Sequence, residues 1–469
     1  MILISSEEIV PVKYTFRTFL AILLCKLLRG VSRLLHRGGT AMPGRWALKV
    51  CPGLLAFLAQ DVTVIAVTGT NGKTTCSRMI EEAFSEAGLD YFANRSGANL
   101  ISGVTTEFVM NCTLAGHMKK HYAVIECDEA AARTVFGQLK PKGIVVTNLF
   151  RDQLDRYGEI THTLSNIREG IRQVPDAVLC LNADCSLTAS LADELPNPVL
   201  RFGIDESAGF RCAPSPNSDA AHCIRCKTEY TYDYITYAHL GGFRCPRCGY
   251  ARQTPDFAVV KVLAASPDST SVVMRTPQGE SPVTVNLPAV YNLYNAAAAF
   301  AACSVLEIPQ ATCIRALGSF HCGFGRMENF DLGGGAKMML VKNPAGCTQV
   351  LEYLSTIEQD YHLVVCLNDR PADGTDISWI WDANFEALEK ISDHIRHITV
   401  SGDRAYDIRL RLKYAGLPDS ILSVEPDYEA LVTKLESETL PIFLMPTYTA
   451  MLELRGVVVK HCGGAEFWE

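Results

Sequence analysis

AVTGTNGKTTCSRMI, residues 66–80, decides the fold, because it joins an apolar run to a helical pattern through a glycine loop. The run before the loop, VTVIAVT (62–68), is rich in Val and bounded by a turn, as a strand buried on both faces is. Within GTNGKTT, Gly69 and Gly72 let backbone amides of the loop (Thr70 and Asn71 between them) approach phosphate oxygens. Lys73 supplies a point charge, Thr74 offers a hydroxyl to Mg2+, and Thr75 follows in the first helical turn. The helix adds the positive end of its dipole. Val67 stands where the general Walker loop has its first glycine, so the motif is the shorter G-x-x-G-K-T-T.

Working outward, HYAVIEC (121–127), GIVVTNL (143–149) and AVLCLNA (177–183) read as further buried strands with helical patterns between them. That alternation predicts an α/β fold with a parallel sheet. Glu126, at the end of the VIECDE strand, is a carboxylate able to reach Mg2+ beside Thr74. A Ser, Pro, Asp and Cys-rich insertion at about 205–255 interrupts the rhythm, and helical pattern resumes at NLYNAAAAFAACSVL (292–306). A second α/β series then follows, with strands expected at KMMLVK (337–342), LVVCLN (363–368), HITVSG (397–402) and PIFLMPT (441–447). For 469 residues this implies three segments: a basic amphipathic piece (1–60) packed on the core, a central ATP-binding domain (61–325) and a C-terminal α/β domain (326–469).

A hydrophobic content of 48% with 20% charged residues is that of a globular chain, and a net charge of −8 argues against a nucleic-acid partner. The charge is uneven: Ile9 to Gln60 holds eight Lys or Arg and no acid. In that stretch Leu20, Leu23, Leu24, Leu27, Val31, Leu34 and Leu35 keep helical spacing, with Lys26, Arg29, Arg33 and Arg37 on another face. Two readings stay open: a helix docked on its own domain, or a basic surface resting on anionic lipid. The FLAILLC run is too short to span a bilayer.

Of 18 cysteines, most are singletons in apolar runs, such as Cys127, Cys180, Cys303 and Cys366, which suits a reducing cytoplasm. Four differ. Cys223-x-x-Cys226 and Cys245-x-x-Cys248, 18 residues apart, have the spacing of a zinc ribbon, with disulfides as the competing reading. Four thiolates leave no open position, so the expected Zn2+ is structural.

GTNGKTT, VIECDE, TNLFRDQLDRYGE (147–159), LNAD (181–184), YNLYNAAAA (291–299) and FGRME (324–328) together resemble the Mur ligases and folylpolyglutamate synthases. The resemblance implies ATP and Mg2+ as cofactors and a carboxylate activated as an acyl phosphate. It also implies an adenine contact from Asn295 and a phosphate contact from Arg326. One departure stands out. Where amino-acid-adding ligases begin the third domain with D-x-A-H-N-P, this chain has MLVKNPAG (339–346), with Met339 at the acid and Lys342 at the histidine.

The ribbon, NPAGCTQVL and NDRPADGTDISWIWDANFE (368–386) narrow the likeness to the MurT family, the ligase-like subunits of lipid II isoglutaminyl synthases. That resemblance implies a Rossmann-like C-terminal domain and a GatD-like glutamine amidotransferase partner that supplies ammonia. It implies lipid II, at the inner face of the cell membrane, as the substrate amidated in peptidoglycan biosynthesis. Asp376 would reach into the partner and orient its catalytic histidine, with Lys73 and Glu126 acting at the ATP site. Without the resemblance, Asp373-Gly374 reads as a turn and Asp376 as a cap on the next segment. Two other functions compete: a ligase of the Mur or folylpolyglutamate type adding an amino acid, and a non-enzymatic zinc-ribbon adaptor that binds nucleotide.

Overall fold

A computed structural model describes residues 13–34, 41–94, 98–151, 160–212, 219–321 and 326–463. The strands are β1 (Thr63–Thr68), β2 (Tyr91–Ala93), β3 (Tyr122–Glu126), β4 (Gly143–Val146), β5 (Val178–Asn182) and β6 (Val199–Ile204). They continue as β7 (Thr231–Tyr237), β8 (Leu240–Arg244), β9 (Phe257–Ala265), β10 (Thr270–Thr276) and β11 (Gly279–Val285). The C-terminal strands are β12 (Arg326–Phe330), β13 (Ala336–Met339), β14 (Tyr361–Cys366), β15 (Ile395–Ser401), β16 (Leu422–Val424) and β17 (Ile442–Pro446).

The central sheet runs β11-β10-β9-β6-β5-β4-β1-β3-β2. From β9 to β2 every pairing is parallel, while β10 and β11 add an antiparallel hairpin at one edge. Burial accounts for the difference. The four residues of β4 are all buried, whereas β10 alternates buried and half-buried residues, as a sheet wet on one face does. The Val290–Val305 helix covers one face with its run Ala296–Ala299, nearly inaccessible throughout; short side chains bring the helix close to the sheet. β1 lies between β3 and β4, which the chain reaches in opposite directions. The loop after β1 therefore opens at a topological switch point, where parallel sheets leave a crevice for ligands.

The second sheet, β12-β13-β17-β14-β15-β16, is parallel except for β12. Met327 takes φ +56° at a register shift in β12, and Glu328 next to it accepts from Arg455 of the last helix at 2.8–3.2 Å. That buried pair anchors the edge strand.

The Phe16–Leu34 and Ala41–Val50 helices pack on the Ile101–Met110 helix of the central unit. Thr18, Ala21, Ile22 and Cys25 are fully buried and Leu23 and Leu24 half-buried, while Leu20, Leu27 and Val31 are exposed. The second of the two helices approaches closely: a Cβ at Gly44 would lie 1.9 Å from the Ser102 carbonyl oxygen. Lys26 also turns inward, donating to the carbonyls of Val109 (2.6 Å) and Cys112 (2.8 Å). Arg37 and Leu35 lie outside the described residues, as do the side chains of Arg33 and Leu34. Among the described residues no helix is long and apolar enough to cross a membrane.

β7 and β8 form a separate hairpin whose tip, Tyr237 to His239, inserts under the central unit. The His239 ring lies 4.6 Å from that of Phe150, and its Nε2 is 3.6 Å from the Cys185 sulfur. Burial there pushes the imidazole down from its ordinary 6.5 to about 4. Below pH 6.5 the unfolded chain takes up a proton at this site that the folded chain refuses. Stability from His239 is thus complete above pH 6.5 and lost as pH falls toward 4. The expected loss reaches about 3 kcal/mol. Urea unfolding across that range checks it: His239→Gln flattens the pH slope by up to about 1.4 kcal/mol per unit, and an unchanged slope excludes the assignment.

Candidate functional site: a nucleotide cavity beside a four-cysteine ribbon

β1 ends at Thr68, and the chain turns through Gly69 (φ +120°) and Gly72 (φ +85°) into the Lys73–Glu86 helix. Both glycines are required by space as well as by φ. A Cβ on Gly69 would sit 2.3 Å from the Thr147 hydroxyl, and one on Gly72 would sit 2.2 Å from Oδ1 of Asn295. The 147–150 segment braces the loop from the β4 side. Thr147 donates to the Asn71 carbonyl at 2.7 Å, the Asn71 amide donates to the Asn148 side chain at 2.9 Å, and Thr70 and Phe150 exchange hydrogen bonds at 3.1–3.2 Å.

Lys73 folds back under this loop. Its ammonium donates to the Gly69 carbonyl at 2.6 Å and to Glu129 at 2.9 Å. Burial opposes the charge, but Glu129, Glu126 and Asp128 outweigh it and hold the group above its ordinary range. Thr74 donates to Glu126 Oε2 at 2.7 Å, so the hydroxyl and carboxylate expected around Mg2+ already meet. Two hard oxygen donors at a phosphate loop suit that cation. Asn94 holds the Glu126 backbone from both sides, at 2.8 Å each. Asn295 is buried, bonded to Asn292 at 3.3 Å, with its amide against Gly72. Arg326 opens β12, and its side chain lies outside the described residues.

A cavity of about 390 Å3 runs from residues 70–75 and Glu126 to the second sheet, which contributes Met339, Lys342, Gly346 and Tyr448. This volume is within the usual range for a ligand site. Asn343 caps the Pro344–Leu354 helix, accepting from the Gly346 amide at 2.8 Å, and its own amide donates to Asn71 at 3.0 Å. Phosphate loop and second sheet thus touch directly. Lys342 is near enough to Glu129 to act on its charge. The sequence singled out Glu126 but not Glu129; the only trace was a third acid at the end of the ECDE run, with nothing to say which acid meets the lysine.

Away from the cavity, the loop after β14 presents Asp376 at the surface. Its Oδ1 accepts from the Ser378 amide at 2.8 Å in a local turn, and the side chain remains exposed. Gly374 takes φ +84°, and Asp373 is buried against the Thr449 amide at 2.7 Å. Trp379 is half-buried, while Trp381 is 48% exposed, lying over Arg411 and beside Tyr414.

The four ribbon cysteines bring their sulfurs within 4.8 Å of one another, with Cys223–Cys248 at 3.6 Å and Cys226–Cys245 at 3.4 Å. Those are too long for S–S bonds and close to the edge of a tetrahedron around a metal with bonds of about 2.3 Å. Each knuckle closes through a left-handed residue, Lys227 (φ +62°) and Gly249 (φ +74°). The donor set fits Zn2+.

Comparison with known proteins bears on the whole chain. The Mur ligase middle domain family matches residues 67–243, and the MurT ligase C-terminal family matches residues 340–451. The chain is 33% identical over 447 residues to the lipid II isoglutaminyl synthase (glutamine-hydrolyzing) subunit MurT of Streptococcus pneumoniae, covering 95% of this chain and 98% of that one. The chain belongs to the MurT family. Its fold is similar to that of a pseudomurein peptide ligase type C from Methanothermus fervidus (TM-score 0.63, 21% identity, covering 86% of this chain and 80% of that one). It is also similar to MurF ligase from Thermotoga maritima in complex with ADP (TM-score 0.61, 14% identity, covering 89% and 85%). The MurT C-terminal match takes in Lys342, Asn343 and Asp376.

Two measurements test the site of this MurT-family chain. Elemental analysis finds about one zinc per chain, and Cys226→Ser with Cys248→Ser abolishes it and lowers the melting temperature; retained metal contradicts the ribbon assignment. Gly72→Ala, which drives a methyl into Asn295, raises the Kd for ATP by about 10- to 100-fold in calorimetry; unchanged affinity contradicts the loop's role.

Proposed function

We propose that this chain is the synthase subunit of a glutamine-hydrolysing ligase. It would amidate the α-carboxyl of D-glutamate in the lipid II stem peptide to D-isoglutamine, in peptidoglycan biosynthesis. The observation that carries the reading is the joint cavity. Lys73, Thr74 and Glu126 face a second sheet of the MurT type, which presents Met339 and Lys342 where amino-acid-adding ligases have the D-x-A-H-N-P acid and histidine, respectively.

In this reading the central unit is residues 61–325 with the ribbon at about 205–255, and the C-terminal unit, 326–469, is Rossmann-like and faces the partner. Gly69 to Thr75 hold the phosphates with Arg326, Asn295 contacts the adenine, and Thr74 and Glu126 hold Mg2+. The nucleotide supplies the phosphoryl group that turns the carboxylate into an acyl phosphate. The substrate carboxylate oxygen bonds to the γ-phosphorus as ADP leaves; ammonia then bonds to the carbonyl carbon, and phosphate departs with loss of a proton. Lys73, fully charged and fixed by Gly69 and Glu129, neutralises the charge on the transferring group. Met339 and Lys342 leave no carboxylate at the position of the usual acid.

Ammonia is mostly protonated at neutral pH, so a GatD-like glutamine amidotransferase delivers it unprotonated. Asp376, exposed and locally braced, completes that partner's catalytic group by fixing its histidine. The exposed Trp381, Tyr406, Leu410 and Tyr414, the last three at helical spacing, give the partner an apolar surface on the same unit.

The test is amidation of lipid II by the chain and its partner with ATP and Mg2+, with glutamine or ammonium as nitrogen source. Asp376→Asn is expected to lower the glutamine-dependent rate by roughly 10³-fold or more and leave the ammonium-dependent rate intact. Glu126→Gln abolishes both while the complex still forms. A product containing an added amino acid, with no nitrogen source giving the amide, transfers the chain to the amino-acid ligases.

A further inference from the structure

The N-terminal helices expose a surface that the nucleotide site does not use. Phe16, Leu20, Leu27 and Val31 are spaced by four, seven and four residues, which puts them within about 60° of the helix circumference. They are 76%, 42%, 59% and 52% exposed. The opposite side, Thr18, Ala21, Ile22 and Cys25, is fully buried. The helix therefore exposes a second apolar stripe opposite the face it docks, where an ordinary surface helix is polar.

The next helix repeats the arrangement. Met42 and Trp46 are 44% and 48% exposed, and Arg45 and Lys49 are exposed on the same side. The Lys49 amine lies 4.4 Å from the Trp46 ring centre, so the cation rests over the aromatic. Seven of the fourteen large apolar side chains exposed among the described residues fall between Tyr14 and Trp46. Tyr14 extends the surface: its hydroxyl donates to the carbonyl of Leu114, itself 45% exposed. Lys13, Arg17 and Lys119 are exposed, and no acid occurs from Ile9 to Gln60 in a chain whose net charge is −8.

We propose that this two-helix face lies on an anionic lipid bilayer, with the stripe and Trp46 among the head groups and Arg17, Arg45 and Lys49 against lipid phosphates. Charge complementarity selects this occupant. A second copy would bring two basic surfaces together, which like-charge repulsion opposes. Apolar residues on one side, an aromatic at the rim and basic residues beside it are what an interfacial helix requires. This inference is independent of the amidation reading, since it concerns binding and not turnover.

The test is flotation of the full chain with vesicles of phosphatidylcholine containing about 30% phosphatidylglycerol, against pure phosphatidylcholine. Wild type is expected to float with the anionic vesicles, and less so as salt rises from roughly 0.1 to 0.5 M. The Leu20→Glu/Leu27→Glu variant is expected to partition at least about tenfold less. Arg45→Gln/Lys49→Gln should lose the preference for anionic lipid while keeping its melting temperature. Blue-shifted tryptophan emission on vesicle addition, absent in Trp46→Phe, would place the aromatic at the interface. Equal flotation of wild type and both variants, or none by wild type, overturns the proposal. So does a variant whose defect, in vesicle-free sedimentation, is loss of a dimer or of the partner subunit.

Discussion

A buried ammonium sets the terms for the centre of this molecule. Lys73 lies beneath its own loop, where an unpaired charge is costly, so it must be met by the Gly69 carbonyl and the Glu129 carboxylate. Glu129 is available only because β3 lies beside β1 in a register that pairs Val67 with Glu126. A one-residue slip would turn Glu126 to the other face of the sheet and part it from Thr74. The register is held by the apolar strands and by Asn94, which clasps the Glu126 backbone from β2. The chemistry of the loop and the packing of the sheet are in this sense one constraint.

The second sheet meets that centre through a narrow set of polar contacts. Asn71 is held on one side by Thr147 and Asn148 and on the other by Asn343. Farther out, Arg151 pairs with Asp382 at 3.0 Å. The exposed Arg151–Asp382 pair contributes little to stability. The Asn71–Asn343 bond is the closer link, because Asn343 also holds the Gly346 amide beside the cavity.

Much of this was legible in the sequence, and the reasons differ from element to element. β1, β3, β4 and β5 are short apolar runs, because burial on both faces favours such residues. The ribbon was legible from spacing, since metal chelation demands it. The edge hairpin β10–β11 was not, because one wet face admits Ser, Arg, Glu and Pro and blurs the pattern. Neither was the three-residue β2. The N-terminal helix shows the limit of periodicity: the stripe was visible, but which side docks depends on the Ala41–Val50 and Ile101–Met110 helices, which meet it from elsewhere in the chain. Glu129 stayed hidden for a similar reason, as its partner lies 56 residues away.

The hairpin of the ribbon carries one more implication. Tyr237 and His239 at its tip pack on Phe150, and Phe150 exchanges hydrogen bonds with Thr70 of the phosphate loop. The hairpin tip and the phosphate loop thus share one neighbour, Phe150, so the residue that seats the hairpin also positions the loop, and an insertion at the edge of the domain reaches its centre through a single aromatic residue.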